Sequence, residues 1–241
     1  MGTPTRLTQG LSSQVKGSLT GDFPFLDPFH TSSTSGKDVF QYTNDFADLG
    51  NTASRTITGS GSTFALVDGV GGIGTLTPGG ATTASSVYRT AAAFQFISGN
   101  RFWFVHRVKA SAVTGNQVLS FGVSESSAGT IATTDRLYFS KAAGSTSLNL
   151  ISVVNSTATT LVTGVTTCAN NTWIDVGFYY DGTDLLVFAA DALVARVSAP
   201  TIGATGTTIT NALLTPFFGI TPVATETMSI DYALIAQETT R

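Results

Sequence analysis

From residue 44 onward the chain runs in short apolar-polar alternations separated by Gly, Asn, Asp, Ser and Thr clusters. A period of two puts successive side chains on opposite faces of a strand, and frequent turn signals between such runs are the habit of a sandwich or jelly roll. The pattern predicts strands at residues 55–58, 63–68, 87–96, 101–111, 117–125, 136–140, 147–155, 159–163, 173–181, 184–190, 193–198, 213–221 and 228–237. Amphipathic segments of helical length are scarce, so the fold class is all-β: an antiparallel β-sandwich, jelly-roll or concanavalin-like, over 44–241, preceded by an extended arm over 1–43.

Two segments carry the pattern most clearly. In RFWFVHRVKAS, Phe102, Phe104, His106 and Val108 share one face and Trp103, Val105, Arg107 and Lys109 the other; the first face is the better core candidate. In WIDVGFYYDGTDLLVFAA, Ile174, Val176, Phe178 and Tyr180 alternate with Asp175, Gly177 and Tyr179 before Asp181-Gly182 turns the chain into a hairpin. The glycine-rich stretch from Gly69 to Gly80 reads as a loop whose Ile73 and Leu76 touch the core.

The arm has no sustained period, because Pro4, Gly10, Gly17, Gly21, Pro24, Pro28 and Gly36 interrupt every element. It is nonetheless apolar. Leu19, Phe23, Phe25, Leu26, Phe29 and Phe40 would each forgo roughly 1.5–3 kcal/mol if left in water, so a partner surface is expected. Two occupants are open at this point: the chain's own sandwich, or a neighbouring subunit or larger assembly.

Composition narrows the function classes. Charged residues make up 11% of the chain, far below the usual quarter, and the net charge of −3 offers no basic footprint for nucleic acid. No apolar run approaches the roughly 20 residues of a membrane span, and the opening MGTPTRLTQG lacks the apolar stretch of a signal peptide, so a soluble, unprocessed chain is expected. The single cysteine, Cys168, excludes an intrachain disulfide and reads as a small buried hydrophobe of a cytoplasmically folded protein.

Candidate chemistry is sparse. His30 and His106 are the only histidines and have no metal-ligand spacing; His106 reads as a hydrogen-bonded core residue. The acids Asp175, Asp181, Asp184 and Asp191 are scattered singly, and a glycosidase needs two carboxylates about 5–9.5 Å apart, which spacing in a sequence does not reveal. Asp181-Gly182-Thr183-Asp184 reads as a tight turn before a calcium loop, and Gly69, Gly71, Gly72 and Gly74 lack the Lys-Ser/Thr of a phosphate loop. The expectation is a non-enzyme with no catalytic, cofactor or metal site.

Short motifs at both ends resemble a known group. Pro4-Thr5-Arg6 followed by Gly10, then Leu26-Asp27-Pro28, then Tyr42-Thr43-Asn44-Asp45-Phe46, resemble the N-terminal region of tailed-bacteriophage head decoration, or cement, proteins. The closing Ile230-Asp231-Tyr232-Ala233-Leu234-Ile235-Ala236-Gln237 is similar to the last strand of that group's concanavalin-like domain. Thr43 departs from the aromatic that related chains often carry there.

The resemblance implies a structural virion protein, assembled in the host cytoplasm, that docks on the outer surface of the capsid. Its partner would be the major capsid protein, held through Thr5, Arg6, Leu19, Phe23, Phe25 and Leu26, and the expected state is a homo-oligomer, with a trimer favoured. Nucleic acid and membrane are not expected partners. The alternative is a receptor-binding or carbohydrate-binding sandwich of a tail fibre or tailspike, in which Trp103, Trp173, Tyr179 or Tyr180 stacks on a host glycan.

Overall fold

The structure, a computed structural model, describes residues 38–44, 55–67, 72–113, 115–125 and 134–239. The arm residues Thr5, Arg6, Leu19, Phe23, Phe25 and Leu26 lie outside the described residues. Among the described residues there is no helix, and the strands form two antiparallel sheets packed face to face.

The first sheet contains β1 (Asp38–Asn44), β3 (Thr63–Val67), β4 (Ile73–Thr77), β6 (Phe102–Ala110), β11 (Ile174–Tyr180), β12 (Leu185–Ala189), β13 (Ala192–Val197) and β17 (Met228–Thr239). Its spatial order is β13-β12-β11-β6-β17-β4-β3, and β1 also pairs with β17. β4 meets Met228, Ser229 and Ile230, whereas β1 meets Ala233 to Thr239. The second sheet contains β2 (Arg55–Thr58), β5 (Ser85–Arg89), β7 (Val118–Ser124), β8 (Arg136–Lys141), β9 (Ser147–Val154), β10 (Thr157–Thr167) and β16 (Thr215–Thr221), in the order β10-β9-β8-β7-β16-β5-β2. A two-residue parallel pair, β14 (Ile202–Gly203) with β15 (Ile209–Thr210), completes the set.

The core lies between the sheets and is built on stacked rings. Phe178 lies 4.7 Å from Phe104 at 10° and Phe96 lies 4.2 Å from Phe102 at 20°, while Phe139 of the second sheet approaches Phe178 at 6.1 Å. These are the offset arrangements that the ring quadrupole favours. Phe102, Phe104, His106 and Val108 all face this core, as alternation predicts. Cys168 is buried in it, which pushes its thiol up to about 11.

Three local expectations change. The stretch read as a loop contains β4, because pairing with β3 on one side and β17 on the other, plus full burial of Leu76, outweighs glycine's weak strand preference. The run 87–96 ends as a strand at Arg89, where an Ala-rich segment with little strand preference follows; Phe94 then makes an isolated bridge to Leu214. Residues 38–44, at the end of the stretch read as arm, are strand β1 in register with the last strand of the chain, Phe40 opposite Gln237.

His106 is in the core but not hydrogen-bonded as expected. Neither ring nitrogen has a hydrogen-bond partner among the described residues; the ring lies 4.3 Å from Phe104 and 6.2 Å from Phe121, and burial holds it neutral, its pKa lowered to about 3.

Candidate functional site

Each sheet also has an outer face. On the second sheet, Gly122 of β7 stands between Tyr138 of β8 and Phe217 of β16, and the two rings approach over it at 6.2 Å. A Cβ on Gly122 would lie 2.6 Å from the Tyr138 Cα, so only glycine admits this approach. Arg136 covers the other part of the Tyr138 ring at 4.1 Å.

The outer face of the first sheet divides into two zones. One end is apolar: Trp103 and Val105 of β6, Tyr179 of β11, Phe188 of β12, and Leu234 and Ala236 of β17 form a second buried cluster, with Trp103 stacked on Tyr179 at 5.3 Å. The other end is polar. Arg107 lies between two carboxylates, its Nη1 3.7 Å from Asp175 Oδ2 and its Nε 3.4 Å from Asp231 Oδ2. Tyr232 Oη donates to Asp175 Oδ1 at 3.2 Å. Beside them the half-buried Trp173 ring carries Lys109 Nζ at 4.7 Å and the Arg107 guanidinium at 5.6 Å.

A β-bulge builds this zone. Ile230 is opposite Val108 and Tyr232 is opposite Arg107, so Asp231 is the extra residue of β17. The insertion brings Asp231 and Tyr232 both against Arg107 and Asp175. Burial raises the Asp175 pKa, and Arg107 and the Tyr232 hydroxyl oppose that rise; burial and the neighbouring Asp175 push the Tyr232 phenol up. Both carboxylates thus lie within 4 Å of one guanidinium.

Other sequence candidates are spent on structure. Asp181 Oδ1 accepts from the Thr183 and Asp184 amides at 2.8 and 2.7 Å, and Asp184 pairs with Arg196 while accepting from the Ala199 amide. That loop is the tight turn expected. Tyr180 is buried between the sheets, with its hydroxyl donating to the Gly182 carbonyl at 2.8 Å. Of the four aromatics considered for sugar stacking, Trp103, Tyr179 and Tyr180 are buried and Trp173 alone is partly exposed. Asp231 was missed as a site residue; its only sequence signal is the break of alternation at Ile230-Asp231-Tyr232.

A small cleft of about 30 Å³ also opens between β1, β5 and β16, lined by Val87, His106, Phe218, Ile230 and Ala233 among others. Its walls are largely apolar.

No family model matches the chain, and no curated protein matches it. Solved structures do. A carbohydrate esterase from the Shiga toxin-encoding bacteriophage phi24B matches with a TM-score of 0.53 at 14% identity, over 85% of this chain and 100% of that one. A β-1,3-1,4-glucanase, or lichenase, derived from a mouse hindgut metagenome matches with a TM-score of 0.56 at 13% identity, over 81% and 98%. The Bacillus licheniformis β-glucanase matches at 0.54 and 9% identity, over 83% and 98%. At such identities the likeness establishes the fold, a concanavalin-like or glucanase-type β-sandwich. It also overturns the expectation of a non-enzyme: the shared architecture is that of glucanases and a carbohydrate esterase, and folding brings together carboxylates that are scattered in the sequence.

Proposed function

We propose that this chain is a saccharide-engaging β-sandwich whose sugar lies against Trp173, with Arg107, Asp175 and Asp231 holding its hydroxyl groups. The observation that carries the reading is a guanidinium fixed between two carboxylates beside a partly exposed indole. Sugars present apolar faces to aromatic rings and hydroxyls in the plane to charged acceptors and donors, which is this arrangement. The names of similar structures make β-1,3-1,4-glucan and acylated saccharides the first probes.

A glycan array with the full chain, followed by calorimetry on the hits, tests the reading. Wild type should bind with affinity lost in Trp173→Ala and weakened at least tenfold in Asp231→Asn, with folding intact. Incubation with the same glycans, read for reducing ends and released acyl groups, reports whether the carboxylate pair also cleaves. No hits across the array would refute the assignment.

A second reading places the domain on the outside of a phage head, as the end motifs imply, through Thr5, Arg6 and the arm's apolar set. Stoichiometric recovery of the chain on purified undecorated heads tests it.

A further inference from the structure

The cleft beside β1 has its cause in strand pairing. β4 meets β17 as far as Ile230 and β1 meets it from Ala233 onward, so Asp231 and Tyr232 have no registered neighbour on that side. Ile230 and Ala233, which flank this gap, line the cleft, and Val87 and Phe218 of the second sheet line it from across the core.

The polar groups gathered there share one character. His106 lines the cleft, is 1% exposed, and has no hydrogen-bond partner on either ring nitrogen among the described residues. A neutral imidazole keeps one N–H to donate, and burying that donor unpaired is costly. On the second sheet Arg55 of β2 stands directly opposite Arg89 of β5, and both line the cleft. Like charges in such register repel. The Arg89 guanidinium lies 4.5 Å from the ring of Tyr42, another lining residue, and none of the ion pairs among the described residues includes Arg89. No acid is among the described residues that line the cleft. The arginines are half-buried and the imidazole enclosed, so the cations stand at the mouth and His106 at the base.

The geometry points to a binding site for a small monovalent anion, a halide or the carboxylate of formate, held between Arg89 and the His106 N–H. Size, charge and walls select this class. A space of about 30 Å³ admits on the order of two water-sized groups, which excludes a sugar ring or a sulfate. Guanidinium groups facing a space without a carboxylate favour negative charge, and the apolar walls strengthen that attraction by excluding water. An anion shared by the two arginines also offsets their mutual repulsion. Water alone would serve the imidazole and leave the repulsion in place. The site is separate from the saccharide face, because His106 and Arg107 are successive residues of β6 and stand on opposite sides of the sheet.

NMR of the full-length chain with labelled histidine ring nitrogens tests the site, the His106→Leu spectrum assigning the signals. Sodium formate should shift the His106 resonances saturably, whereas sodium sulfate at equal ionic strength should leave them in place. Arg89→Met should weaken the formate response at least tenfold, and Arg89→Lys should recover part of it. A formate shift that never saturates, one that sulfate reproduces, or one unchanged in Arg89→Met would overturn the inference. If Arg89→Met loses its cooperative unfolding transition, a bromide soak of wild-type crystals decides by anomalous scattering: bromide beside His106 supports the site, and a cleft holding water alone overturns it.

Discussion

Arg107 and Asp231 meet because β17 carries one residue more than β6 at that point: Asp231 is the bulged residue, and its Oδ2 lies 3.4 Å from Arg107 Nε. Removing the bulge would shift the rest of β17 by one residue and exchange its two faces, sending Leu234 and Ala236 inward and Ala233 and Ile235 outward. Deletion of Asp231 is therefore expected to abolish cooperative folding, whereas Asp231→Ala, which keeps the register, removes one of the two carboxylates on Arg107 and should cost about 1–3 kcal/mol. Urea denaturation of the two variants separates the contributions of backbone and charge.

Removal of the guanidinium has a directional consequence. In Arg107→Met the cation that opposes the burial-driven rise of Asp175 is gone, so its pKa moves further above the ordinary 3.8. A carboxyl with a raised folded pKa favours the folded state when protonated, and that advantage is lost as pH rises through the folded value. The Arg107→Met protein should thus lose more stability between pH 4 and 7 than wild type. Parallel melting curves across that range would show the divergence, and coincident profiles would refute the coupling.

His106 titrates in the opposite sense. Its folded pKa of about 3 lies below the ordinary 6.5, so on acidification the unfolded chain binds the proton first. Stability should fall by up to about 1.4 kcal/mol per pH unit from this group as pH drops from about 6.5 to 3, with no contribution above that window. His106→Leu removes the titration and should flatten the acid limb relative to wild type; an unchanged limb would show that the imidazole is not withdrawn from water.

Two packing variants probe the sheets separately. Phe178→Ala removes a ring stacked on Phe104 and Phe102 and should destabilise by about 3–5 kcal/mol. Gly122→Ala pushes a methyl against Tyr138 beneath the Tyr138–Phe217 pair and should cost about 1–3 kcal/mol through strain instead of a cavity. Both are read from urea midpoints at constant m-value.

Strands β6 and β11 were legible because the alternation of core-facing and outward-facing residues writes a period of two directly into the chain. The inner face of β6 could be named residue by residue for that reason. β4 was not legible, because its place is fixed by partners distant in sequence while its own glycines signal a loop. The site was hidden for a related reason. Arg107, Asp175 and Asp231 sit on three strands that become neighbours only through the β11-β6-β17 order, and the bulge that aims Asp231 is a property of pairing, not of local composition. Trp103, Tyr179 and Tyr180 lie on strands as read, whereas Trp173 immediately precedes β11; burial, which separates Trp173 from the other three, is a property of the fold.

That separation supplies the sharpest functional prediction. If saccharide stacks on Trp173, then Trp173→Ala should abolish binding while leaving stability nearly unchanged, because the ring is half-exposed and its neighbours are the solvated Lys109 and Arg107. Trp103→Ala should do the reverse: the fully buried indole stacks on Tyr179, and its loss should cost about 3–5 kcal/mol. At a temperature where the Trp103→Ala protein is still folded, its glycan affinity should match wild type. Lys109→Ala adds an internal control, since it uncovers the Trp173 face and should alter affinity by no more than the roughly 0.5–1 kcal/mol of an exposed cation–π contact. Calorimetric titration with one array-selected glycan across the four proteins checks the pattern. Equal losses in the Trp103 and Trp173 variants would mean that binding follows stability, and the polar end of the first sheet would then not be the site.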